Sequence, residues 1–191
     1  PSHRVGFRGV ATSSATHYRT PLGSIPLAPV TDLVGLEGVG ALDAAHAEEH
    51  SLEVHLPFLQ VLLGDFDLLP LVVGDAAPDL VAAVIERLWG DEQTLIIVST
   101  DLSHFHDHET ARSLDRRTAD RIAAYDYTLS GDNACGARPV NGLLRLARRR
   151  GLEIEEVDVR NSGDTAGDRN RVVGYGGWVL YESTGEAEEL S

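Results

Sequence analysis

Apolar positions recur along this chain with two spacings, and the spacing predicts the element. Pro78 to Trp89 sets Leu80, Val81, Val84, Ile85 and Leu88 on one helical stripe. Pro78 suits a first turn, and Gly90 follows as a stop. His108 to Tyr125 reads as a second helix, and Pro139 to Arg150 as a third, with Gly151 as its C-terminal stop. Residues 51 to 63, SLEVHLPFLQVLL, are also apolar at helical spacing. Pro57 breaks or kinks that helix unless it sits in the first turn. Glu153 to Arg160 alternates apolar and charged residues, as a half-exposed strand does, and Val172 to Tyr181 is a final apolar strand. Thr94 to Ser99, TLIIVS, is a continuous apolar run of the kind buried on both faces. Residues 67 to 74, DLLPLVVG, predict another strand, with Pro70 favouring an edge or early position. Strand, helix and strand over 67 to 99 make a βαβ unit, which argues for a parallel sheet.

The remaining segments carry weaker patterns. Val5 to Val10 is a short apolar run, residues 18 to 29 hold three prolines and read as an extended connection, and Thr31 to Gly40 reads as a weak helix. Residues 161 to 171 are polar and turn-rich, and the acidic tail from Glu182 onward is expected to fray. With no internal repeat and no linker, the expectation is a single α/β domain over residues 1–191, built on a central, mostly parallel β-sheet flanked by helices.

Composition narrows the function classes. The formal net charge is −14, and all 16 basic residues are Arg. Such a field opposes phosphate-rich partners, so neither nucleic acid nor an anionic membrane surface is expected. The basic run Arg148 to Arg150 ends a predicted helix, where it complements the helix dipole. No stretch approaches the roughly 20 apolar residues of a membrane helix, and no charged segment leads into an apolar core as in a signal peptide. A lone cysteine, Cys135, cannot close an intrachain disulfide and fits a reducing compartment, so a cytoplasmic protein is expected.

The candidate chemistry lies in histidine. Eight histidines are present; His46, His50 and His55 fall within ten residues, and His104, His106 and His108 alternate just after the apolar run ending at Ser99. Ligands bind beyond the carboxyl ends of strands in open α/β sheets, so the loop from Thr100 to His104 would face such a crevice. Cys135 precedes a predicted helix, whose N-terminus stabilises a thiolate. Thiolate with imidazole suits zinc, copper or iron(II) better than calcium or magnesium. The ordinary alternatives are a satisfied core histidine and a buried small cysteine. Gly35 to Gly40 lacks the dinucleotide-binding order, no P-loop or nucleophile elbow occurs, and the run from Asn161 to Thr165 reads better as a turn than as a cation site.

Read together, these segments resemble the Memo family, including the members called AmmeMemoRadiSam system protein B. Pro1-Ser2-His3 looks like the end of the family's Gly-Pro-Ser-His motif, and Tyr18 to Gly23 is similar to the segment that follows. HAEEHSLEVHLPFLQ, from His46 to Gln60, is the most specific stretch. STDLSHF from Ser99, Cys135-Gly136 with Pro139, Asn161 to Asp168 and Val172 to Tyr175 match further blocks in order. The segment that precedes Pro-Ser-His in the family is missing from this sequence. The resemblance implies a fold similar to the LigB-type class III extradiol dioxygenases, whose iron(II) is held by two His and a Glu. It further implies a pocket of His3, His50 and Cys135 holding a transition metal (iron(II), copper or zinc), with Asp101 and His104 alongside as orienting or acid/base groups. A metal-dependent oxidoreductase is the first functional expectation. A non-catalytic module is the second, binding a small molecule or peptide in the same cleft, with Arg4, Arg8, Arg19 and Arg138 available to an anionic peptide. An accessory role beside a radical SAM protein is implied only by the family's system name.

Overall fold

Helices appear where the 3.6-residue stripe is strong. The computed structural model describes residues 1–165 and 167–182, so the expected frayed tail beyond Glu182 lies outside the described residues. The chain divides into two compact units, Pro1–Ser99 and Thr100–Ser191.

In the first unit, strands β1 (Val10–Thr12), β2 (His17–Thr20), β3 (Gly23–Pro26), β4 (Val39–Ala41) and β5 (Val72–Val73) alternate with helices α1 (Asp43–Ala47), α2 (Leu56–Leu63) and α3 (Pro78–Arg87). Pro57 and Pro78 both occupy first turns, where a missing N–H costs nothing. The expected stripe on α3 is the packed one, with Val81, Val84 and Ile85 buried. Strand β1 pairs in parallel with β4 and antiparallel with β5. Ala11 of β1, Val72 of β5 and Ala45 of α1 form a core cluster on which Phe7, Leu42 and Leu52 pack. The proline-rich stretch is not an open connection: β2 and β3 form an antiparallel hairpin, with Pro21 in its turn and Pro26 at its end. Between Thr31 and Gly40 only one 3₁₀ turn forms, Thr31–Leu33.

In the second unit, β6 (His104–His106), α4 (His108–Ala123), α5 (Ala137–Arg150), β7 (Glu153–Asn161) and β8 (Val172–Tyr181) follow. Asp107 caps α4 by accepting the Thr110 amide. Gly151 ends α5 in the left-handed region at φ 68°, as its position predicts. A 3₁₀ turn at Ser162–Asp164, closed by a reciprocal Asn161–Asp164 capping box, confirms the turn reading there. The sheet order is β6-β8-β7, with every pairing antiparallel.

The α/β class holds, but a central, mostly parallel sheet is not what the described residues form. They make three small sheets, and β1–β4 is the only parallel pairing of named strands among them. The difference begins at Thr94 to Ser99, which takes no regular structure, with Leu95 65% and Ile97 45% exposed. The expected βαβ unit therefore lacks its second strand. From Asp67 to Gly74 only Val72–Val73 forms a strand, and Leu68 adds an isolated parallel bridge to Leu27. An apolar run makes a strand only where a neighbour offers its own N–H and C=O row.

Candidate functional site

Two groups of metal-capable side chains occur among the described residues, one in each unit. In each, the ligand atoms lie within 4.8 Å of one another: His3, Glu49 and His50 in the first, Asp101, His104 and Cys135 in the second.

The first group is built where α1 ends. Ala45 and His46 of α1 are buried, and His46 Nε2 donates to the Ala11 carbonyl at 3.2 Å. His46 is thus the core histidine among the cluster of three, held through Nε2 while its buried Nδ1 makes no hydrogen bond among the described residues. The chain then turns at Glu48, sending Glu49 inward at 2% exposure while the His50 side chain stays 52% exposed. The N-terminal residues are tied to the same place, because the Ser2 amide donates to the Val73 carbonyl at 3.0 Å. His3 then meets Glu49 twice: its amide donates to Oε2 at 2.6 Å and its Nδ1 to Oε1 at 2.8 Å. The Ser51 amide adds a third hydrogen bond, 3.1 Å to Oε1. Burial, the largest single influence, pushes the Glu49 carboxyl up, but the hydrogen bonds from His3 and Ser51 outweigh it and bring it down to about 2. The His3 and His50 rings stack with centroids 5.1 Å apart. The surroundings are negative: burial, then the charges of Glu53 and Glu49, hold the Tyr18 phenol above its ordinary value.

A carboxylate can only accept a hydrogen bond, so His3 Nδ1 carries a proton, and Nε2 is the nitrogen that the neutral tautomer would offer to a metal. That is the arrangement by which proteins fix a metal-binding histidine. Glu49 was absent from the candidates read off the sequence. The available signal was its position beside His50, but burial of that one carboxylate depends on amides arriving from residues 3 and 51.

The second group is built on the loop before β6. The Thr100 hydroxyl accepts the Gly136 amide at 2.8 Å, and the Cys135 amide donates to the Asp101 carbonyl at 3.2 Å. The Asp101 amide in turn donates to Cys135 Sγ at 3.2 Å. His104 Nε2 lies 3.7 Å from Asp101 Oδ2. Cys135 stands two residues ahead of α5, close to the expected start of that helix.

His55 and His108 have partners outside both groups. His55 Nε2 is 3.0 Å from Ser99 Oγ. His108 is buried, with Nε2 at 2.7 Å from Asp164 and Nδ1 at 3.0 Å from Glu109. The hydrogen bond to Asp164, then that to Glu109, raises its pKa above the ordinary imidazole value. His106 is exposed and joins neither donor group.

A family model described as Memo-like protein matches residues 1–179. The chain belongs to the Memo family. Its relatives include MEMO1 family proteins of Methanopyrus kandleri (34% identical, covering 94% of this chain and 70% of the relative) and Sulfolobus acidocaldarius (31%, 83% and 61%). A third, from Thermotoga neapolitana, is 35% identical over 83% of this chain and 61% of its own length. The chain therefore spans between about three fifths and seven tenths of the length of these relatives. The donor residues all fall inside the span that matches the Memo model. No helix among the described residues is long and apolar enough to cross a membrane.

Proposed function

We propose that this Memo protein binds a transition metal, with His3 and His50 as ligand residues in the first unit, Cys135 as one in the second, and Asp101 and His104 supporting the chemistry beside Cys135. The observation that carries the reading is the buried Glu49 carboxylate on His3 Nδ1, which leaves Nε2 available beside the stacked His50 ring. A carboxylate on one ring nitrogen is the usual partner of a metal-binding histidine, because it orients the ring and leaves the other nitrogen for the ion. The second donor group supports the same reading through its mixed sulfur, nitrogen and oxygen set.

The donor chemistry fits the ions expected. Imidazole and thiolate select zinc, copper or iron(II), and a set this poor in oxygen suits neither calcium nor magnesium. A bound ion of this kind supplies Lewis acidity or, for iron and copper, electron transfer, which is the basis of an oxidoreductase reading. The chain's own residues do the rest. Glu49 holds the His3 proton on Nδ1. Asp101 and His104, 3.7 Å apart, can pass a proton or orient a ligand or water.

The test is metal analysis of protein purified without chelator. Wild type is expected to carry iron, copper or zinc, and His50→Ala and Cys135→Ala, made singly, are expected to lose it. Metal content equal to wild type in either variant removes that residue from the ligand set. Anomalous scattering at the metal edges, from crystals of untreated protein, identifies the ion.

A further inference from the structure

One buried acid in the second unit is used by nothing described so far. Asp115, on α4, is 2% exposed and makes no ion pair among the described residues. Its Oδ1 accepts the Ser103 amide at 2.9 Å, and its Oδ2 makes no hydrogen bond among them. Burying a carboxylate with one hydrogen bond is costly, so the bond it makes is the place to look for its purpose.

That bond falls in the middle of the donor loop. On one side of Ser103, the Leu102 amide donates to the Gly174 carbonyl at 2.8 Å; in return the Gly174 amide donates to the Ser103 carbonyl at 2.8 Å. Strand β8 thus fixes the loop through Leu102 N–H and Ser103 C=O. The Ser103 amide is the group left between them, and Asp115 takes it. Gly174 also makes the room: a Cβ there would lie 2.1 Å from Asp115 Oδ2 and 2.5 Å from its Cγ. Its backbone is not in the left-handed region, so glycine is needed at 174 for space and not for conformation.

We infer that Asp115 is a positioning residue for the second donor group: by holding the Ser103 amide, with Gly174 vacating the space, it fixes the backbone from which Asp101 and His104 project. It touches no donor atom itself and acts through the main chain. The effect extends to Cys135, because the Asp101 amide and carbonyl are the groups that bond to Cys135 Sγ and N. The inference rests on the metal-binding reading for its consequence and on hydrogen bonding alone for its geometry.

The experiment uses the full chain, with cobalt(II) as the probe and the thiolate-to-cobalt charge-transfer absorption as the readout at Cys135. Asp115→Ala is expected to weaken cobalt binding about tenfold or more, the scale on which residues supporting ligands act. Asp115→Asn, whose carbonyl can still accept the Ser103 amide, is expected to stay within about threefold of wild type. Gly174→Ala is expected to behave like Asp115→Ala. Adding it to Asp115→Ala should cost little more, since the carboxylate it would strike has gone. Hydrogen exchange at the Ser103 amide, measured on metal-free protein, is expected to quicken in Asp115→Ala and to recover in Asp115→Asn. Unchanged exchange in Asp115→Ala overturns the inference whatever the metal does, and equal cobalt affinity in wild type and Asp115→Ala overturns it where cobalt binds. If wild type gives no cobalt–thiolate absorption, the metal reading at Cys135 fails, and the exchange measurement alone decides whether Asp115 holds the loop. Should Asp115→Ala not fold, Gly174→Ala and Asp115→Asn carry the same comparison.

Discussion

The two donor groups are each organised by a carboxylate that is 2% exposed, yet the two carboxylates work differently. Glu49 grips a member of its group directly, taking both the amide and the ring nitrogen of His3 and the Ser51 amide as well. Asp115 stays behind its group and holds one backbone amide, leaving the side chains of Asp101 and His104 to be set by the chain's path. The first arrangement fixes a tautomer; the second fixes only a position. A carboxylate that accepts three hydrogen bonds should also carry more of the fold's stability than one that accepts a single bond.

That contrast predicts the largest effect at Glu49. Glu49→Ala leaves three donors without their acceptor in a buried place and should cost about 3 kcal/mol in denaturant unfolding. A loss no greater than that of Asp115→Ala would erase the distinction between the two groups. Asp115→Ala removes one amide partner and should cost about 1–2 kcal/mol in the same measurement. His50→Ala should separate function from fold most cleanly. Its ring is half-exposed and its backbone is untouched, so stability should move by no more than about 0.5 kcal/mol while metal content falls. A large stability loss with metal retained would make His50 a structural residue.

The smallest effect belongs to a histidine outside both groups. His108 donates from both ring nitrogens to carboxylates, and its pKa is raised in the folded protein. Its contribution is therefore complete below the ordinary imidazole value of 6.5 and is lost as pH rises through the higher folded value. Its partner Asp164 is lowered, first by the Asn161 amide and then by His108, so the pair also weakens when acid protonates that carboxylate. Thermal stability of wild type should decline as pH rises above 6.5, and His108→Gln should flatten that decline. Parallel curves for the two proteins would show that the ring is not charged in this setting.

Much of the second unit was legible in advance. Helices α4 and α5 and strands β7 and β8 lie within two residues of where period, proline and glycine put them. In the first unit the same reasoning served α3, and it served α2 once Pro57 was placed in a first turn. It failed at Thr94 to Ser99, whose apolar run finds no strand partner, and at the hairpin β2–β3, where prolines at the turn and the end masked a paired ladder. Strand identity depends on a neighbour, and no neighbour is visible in a local window.

Family membership and the chemical types of the donors were fixed by the order of residues along the chain. Motifs such as HAEEHSLEVHLPFLQ and STDLSHF are local, and imidazole, thiolate and carboxylate are properties of single residues. Which carboxylates are buried, and what they hold, was decided only by folding. Glu49 serves His3, 46 residues away, and Asp115 serves Ser103 across a strand contact with Gly174. A buried charge is tolerated only where distant amides converge on it, and that convergence is a fact of three dimensions.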